Sequence, residues 1–139
     1  NEGLLGFSLY PFHLKDGPKC SLENFADMVA WTADRMGVNR IGFGSDLCQS
    51  QPQSVLEWMR TGRWSKVMDY GEGSSQDAGW PEPLAWFGDN RDFPRIVDAL
   101  KIKGFSDDEL GLIMGGNWVD LLTRVAQPAV ESADIDADI

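Results

Sequence analysis

The feature that most limits what this chain can fold into is one strand–helix–strand pattern with no further strands after it to complete a sheet. Gly3 to Tyr10 (GLLGFSLY) is a short apolar run with aromatic residues, closed by Pro11. Such a run suits a strand buried on both faces of a parallel sheet. After Ser21, residues Leu22, Phe25, Ala26, Val29, Ala33 and Met36 recur at the spacings that put them on one face of a helix. Ser21 is placed to cap its first turn, and Glu23 sits near the positive end of the helix dipole. Gly37 is placed to stop it in the left-handed conformation. A second short strand, Ile41 to Asp46 (IGFGSD), ends in polar residues. Two strands joined by a helix make a βαβ unit, with parallel strands and a right-handed crossover.

From 47 to 92 the pattern gives way to a long loop. It holds Pro52, Pro81 and Pro83, with Trp58, Trp64, Trp80 and Trp86, and only Ser54 to Arg60 has the makings of a short helix. A loop of this length is usually functional or an interface. Its tryptophans suit a lid, a substrate wall or a subunit contact, or they pack over the strand ends. Helical signals then resume. Asp92 and Pro94 open a helix with Ile96, Val97 and Leu100 on one face and Gly104 as its stop. Ser106 to Glu109 forms a capping box for a helix carrying Leu110, Ile113 and Met114, which breaks at Gly115-Gly116. Asn117 is placed to cap a last helix, whose apolar stripe is Trp118, Leu121, Leu122 and Val125.

Two parallel strands have too little ladder to stand alone, and amphipathic helices need a sheet to cover. The expectation is an α/β fold incomplete in this chain: the C-terminal part of a larger protein, truncated, cleaved or partnered by a separate N-terminal chain. Composition narrows the partners. With a net charge of −10 over 139 residues, the chain lacks the footprint of a nucleic-acid or polybasic membrane binder. No run approaches the ~20 apolar residues of a membrane span. Cys20, Cys48 and the one histidine, His13, cannot build a disulfide scaffold or a His-rich metal centre from this chain alone. The lack of a disulfide pattern points toward a bacterial cytoplasm. Residues 127–139, ending ESADIDADI, are expected to be a poorly ordered acidic tail.

In α/β barrels the reactive groups lie at the C-terminal ends of the strands. The first strand here ends at Tyr10-Pro11-Phe12-His13 and the second at Ser45-Asp46. Asp46 either accepts a proton or holds a substrate ammonium, or it only caps the loop that follows. His13 is a substrate contact or ligand, or an ordinary loop residue. Tyr10 presents its hydroxyl to a ligand, or buries its ring. Cys48 reads better as a buried thiol than as a nucleophile, with no second histidine nearby. Gly42-Phe-Gly-Ser and Met114-Gly-Gly-Asn complete neither nucleotide-binding fingerprint.

Several segments together resemble the end of the membrane (renal) dipeptidase family, the M19 metallopeptidases. These are Gly3 to Pro11, the helix after Ser21, Arg40 to Asp46, Asn90-Arg-Asp-Phe-Pro, Lys103 to Leu110, and Ile113-Met-Gly-Gly-Asn-Trp118. The resemblance covers roughly residues 1–126 and implies the C-terminal portion of a (β/α)8 TIM barrel of the metallo-dependent hydrolase type. Residues 1–126 would hold its last two βα units and closing helices. It implies a zinc-dependent dipeptidase, in a family that binds two zinc ions and cleaves dipeptides, including some with a D-residue second. Asp46 falls on the family's strand-eight aspartate, beside the metal-bound water and the substrate's amino group. Tyr10 falls on a substrate-pocket tyrosine and His13 on another pocket position. The zinc ligands belong to earlier strands, so none is expected in this chain. The expected partners are the N-terminal part of the same barrel, a dipeptide substrate and further copies in a homo-oligomer.

The chain departs from the family at Asp46-Leu-Cys-Gln49, where Asp-Phe-Asp-Gly is common, and in its longer loop. Both departures touch substrate choice. Two other readings stay open: a non-catalytic barrel fragment acting in assembly, and an amidohydrolase-like enzyme acting on a cyclic amide or modified amino acid.

Overall fold

The computed structural model describes residues 3–47, 52, 54, 55, 57, 58 and 82–126. Strand β1 (Leu5–Ser8), helix α1 (Leu22–Met36) and strand β2 (Ile41–Gly44) form the expected βαβ unit. The strands pair in parallel, in a register running from Leu5 opposite Ile41 to Ser8 opposite Gly44. Helices α2 (Phe93–Ile102), α3 (Asp107–Gly111) and α4 (Asn117–Ala126) follow, with a wide turn over Leu112–Gly116 between the last two.

Local chemistry sets most boundaries. The Ser21 hydroxyl accepts the Asn24 N–H at 3.1 Å, which satisfies a free donor of the first helical turn. Gly37 ends α1 at φ 88°, ψ 143°, an extended positive-φ conformation rather than the expected left-handed helical one. A Cβ there would stand 2.9 Å from Asn39 Oδ1, so both backbone and space favour glycine. Ser106 and Glu109 close the expected capping box. Asp92 and Pro94 stand at the start of α2, as expected. The Asp92 side chain caps nothing ahead of it and instead takes the N–H groups of Gly88 and Asp89, at 2.8 and 3.2 Å. Asp89 starts the preceding turn, Asn90–Asp92.

The core lies between α1, β2 and the later helices. Phe25, Val29, Ile41, Ile96, Leu100 and Ile113 are fully buried, each side chain contributing ~1.5–3 kcal/mol of burial. The Phe25 ring stands 5.9 Å from Phe7, 5.6 Å from Phe43 and 5.1 Å from Trp86 between centroids. Thr32 joins the buried face of α1, whereas Met36 is exposed.

The expected Trp-rich loop is not uniform. Leu84, Trp86 and Phe87 are buried, and Trp86 Nε1 donates to the Cys20 carbonyl at 2.8 Å. This end of the segment is core. Ser54, Val55, Glu57 and Trp58 are helical as expected, with Trp58 exposed. The rest of 47–92 apart from Leu47, Pro52 and residues 82–92, and the 127–139 tail, lie outside the described residues.

β1 was expected to be buried on both faces, yet Leu5 and Gly6 are exposed, because no other described strand pairs with β1. β2 is better covered. The indole of Trp118 lies over Gly6 and Gly42, where an added Cβ would meet it at 3.0 and 2.5 Å. Its Nε1 donates to the Phe43 carbonyl at 3.1 Å. Asn117 does not cap α4. Its backbone is helical, and its buried side-chain amide donates to Val38 O at 2.8 Å and Ile41 O at 2.7 Å. Those carbonyls enter β2, and a buried carbonyl needs a donor. The stripe expected on α4 therefore splits. Trp118 meets the sheet, while Leu122 (63% exposed) and Val125 (73%) lie beyond the reach of any described residue that would cover them.

Candidate active site

Because β1 and β2 run parallel, both leave the sheet at the same edge. Leu9 N–H donates to Gly44 O at 3.0 Å and holds the two exits together. Past Tyr10 the chain enters a tight turn, Pro11–His13, with Pro11 at its start and His13 N–H bonded to Tyr10 O at 3.0 Å. The ring of proline pre-sets this turn, which returns His13 toward the strand end. Beyond β2, Asp46 takes φ 49°. Aspartate tolerates this left-handed conformation better than most residues.

The side chains converge on Ser8. Its hydroxyl donates to Asp46 Oδ2, accepts the Tyr10 N–H at 3.1 Å and lies 2.8 Å from His13 Nδ1. The Tyr10 ring stands against the His13 ring, 5.0 Å between centroids at 63°. Asp46 and His13 are exposed; Ser8 and Tyr10 are half-buried. The structure thus brings together all three residues singled out in the sequence. It adds Ser8, which sequence reasoning missed. The available signal was a hydroxyl at the end of an otherwise apolar strand run, Gly3 to Leu9.

The order of these groups constrains their chemistry. A nucleophilic serine gives its proton to a base. Here the hydroxyl donates to the Asp46 carboxylate, and the imidazole nitrogen is its further partner rather than the group that takes its proton. The arrangement orients an acid rather than activating an alcohol. Asp46 keeps one oxygen clear of the Ser8 bond, at an exposed rim, where a carboxylate can take a proton or an ammonium group. Among the described residues, no group of three or more His, Cys, Asp and Glu is placed to hold a metal ion. Cys48 lies outside the described residues. Cys20 is buried beside Trp86, and burial raises its thiol pKa above the ordinary value, which suits packing rather than reaction.

No family model matches the chain. Dipeptidase tcpJ from Claviceps purpurea (strain 20.1) is 25% identical over 130 residues, which is 93% of this chain and 24% of that protein. The chain thus spans about a quarter of the length of the curated relative it matches. A crystal structure of an amidohydrolase from Pseudomonas aeruginosa superposes with a TM-score of 0.72 at 21% identity. The superposition covers 88% of this chain and 36% of that one. In fold, the chain is similar to part of an amidohydrolase. That likeness concerns architecture alone, a mixture of strand and helix. Among the described residues, no helix is long and apolar enough to cross a membrane.

Proposed function

We propose that this chain is the C-terminal portion of a (β/α)8 barrel of the metallo-dependent hydrolase type. The whole protein, on this reading, is a zinc-dependent dipeptidase of the membrane (renal) dipeptidase kind. The observation that carries the reading is the convergence of Asp46, His13 and Tyr10 at the C-terminal ends of parallel strands, the edge where barrel enzymes keep their chemistry. The similarity to a dipeptidase and to an amidohydrolase supports it. The uncovered Val119, Leu122 and Val125, and the exposed Leu5 on β1, suit contact with the remainder of a barrel.

The described residues do not themselves form a metal site, so zinc, on this reading, is held by side chains outside this chain. Asp46 is the chain's contribution to the reaction. One oxygen is fixed by the Ser8 hydroxyl, and the other accepts a proton or pairs with the dipeptide's ammonium group. A carboxylate on a well-positioned strand end suits either task. Tyr10 and His13 form the adjoining wall of the pocket.

The decisive experiment replaces Asp46 with Asn in the whole protein, a change that keeps shape and tolerates the same backbone. Turnover of L,L- and L,D-dipeptides is expected to fall about 10²–10⁴-fold, with zinc content unchanged. Full activity in that variant would remove Asp46 from the mechanism. Cleavage of simple lactams in place of dipeptides would move the enzyme to cyclic amides.

A further inference from the structure

We propose that Ser8 is a positioning residue that fixes His13 as the Nδ1–H tautomer while it orients Asp46, leaving His13 Nε2 as a hydrogen-bond acceptor at the rim. The geometry stands independently of any activity; the role in turnover rests on the dipeptidase reading.

The argument is a count of protons. A serine hydroxyl has one proton to donate and two lone pairs to accept with. The proton faces Asp46 Oδ2, because an ionised carboxylate only accepts. One lone pair takes the Tyr10 N–H, which can only donate. The remaining partner is His13 Nδ1, 2.8 Å away, and it must therefore bring the proton of that bond. A neutral imidazole has a single N–H, so Nε2 carries a free lone pair. The Tyr10 ring, edge-on at 5.0 Å, limits how far the imidazole can turn from this orientation. The backbone reinforces the result. The bond from Tyr10 N–H to the hydroxyl spans only two residues and makes the oxygen's position a property of the turn. Asp46 and Nε2 are then both acceptors, and a donor-rich group such as an ammonium is what such a rim recognises.

The test is ¹⁵N NMR of the whole protein at about pH 8.5, well above the ordinary histidine range, with His13 identified by the signals lost in His13→Gln. The expected wild-type pattern is a protonated Nδ1 and an unprotonated Nε2. Ser8→Ala is expected to shift the pattern toward protonated Nε2, and Ser8→Thr, which keeps the hydroxyl, to restore it. Where dipeptides are cleaved, Ser8→Ala should lower kcat/KM about 10–100-fold, and Ser8→Thr should recover most of it. A wild-type Nε2–H tautomer, or a pattern indifferent to Ser8→Ala, would overturn the proposal even in a fully active enzyme. Absence of dipeptide cleavage with the expected tautomer would instead defeat the functional reading and leave the role of Ser8 in place. The wild-type spectrum decides the tautomer without any variant.

Discussion

Around β1 and β2, the strand ends at Ser8 and Asp46 and the face beneath Trp118 are held by different means. At the strand ends the contacts are hydrogen bonds among exposed or half-buried groups, centred on one hydroxyl. Such bonds contribute only ~0.5–1.5 kcal/mol each, and they leave acceptors facing outward. Beneath Trp118 the contacts are mostly steric: a half-buried indole against exposed Gly6 and buried Gly42, beside the buried Asn117 amide that spans two carbonyls. The difference separates two jobs. The Trp118 face fixes where the strands lie, and the strand ends use that rigidity to aim polar atoms. Substitutions on the first should unfold the protein, and substitutions on the second should disable it while leaving it folded.

The largest effect is expected at Gly42. A Cβ there would meet Trp118 Nε1 at 2.5 Å and Cδ1 at 3.0 Å, and Val would add two methyls to that clash. Gly42→Val should cost about 3 kcal/mol, at the upper end for overpacking, read as a lowered urea midpoint. Asn117→Ala comes next. It leaves the carbonyls of Val38 and Ile41 without their donor, for about 1–3 kcal/mol. Asp46→Asn in the same assay should barely move the midpoint. If it destabilised as much as Gly42→Val, the division between the two regions would be wrong.

What could be read from the sequence follows the same division. The Ser21 cap and the Ser106–Glu109 box were legible because each depends on residues within one turn. The βαβ unit was legible because each of its strands and its helix shows its own apolar pattern, although the pairing joins Leu5 to Ile41. Asp46, Tyr10 and His13 were legible as strand-end residues, since a strand's exit is a local property. Ser8 was not, because its role depends on a carboxylate 38 positions away and on a turn that folds His13 back. Asn117 looked like a cap for the same reason. Its sequence neighbourhood fits one, while its true partners, Val38 and Ile41, are brought to it only by the packing of α4 on β2. Trp86 sits in a stretch rich in turn formers, and nothing local marks its burial against Phe25. Long-range contacts of this kind carry no signature in periodicity.

The smallest expected effect comes from acid, and it sharpens the comparison because the described contacts of Trp118 and Asn117, with Gly6, Val38, Ile41, Gly42 and Phe43, include no titratable side chain. The helix starts resemble the strand ends in being held by exposed hydrogen bonds. The Arg91 side chain, and then its backbone N–H, hold the Asp89 carboxyl down to about 2. The N–H groups of Gly88 and Asp89 lower Asp92, and the Ser106 N–H followed by its hydroxyl lowers Glu109. Each of these groups binds its proton less readily folded than unfolded. Their stabilisation is therefore present above the ordinary carboxylate range, about pH 4, and is lost as pH falls through the folded values, near 2 for Asp89. All three are half-buried residues whose carboxyls remain within reach of solvent, so the loss is modest. Followed by NMR, the amide signals of Gly88 and Ser106 should move between about pH 4 and pH 2, while the Trp118 indole N–H stays in place. An indole signal that moved in step with those amides would show that the Trp118 face depends on the helix starts, and that the two regions do not act separately.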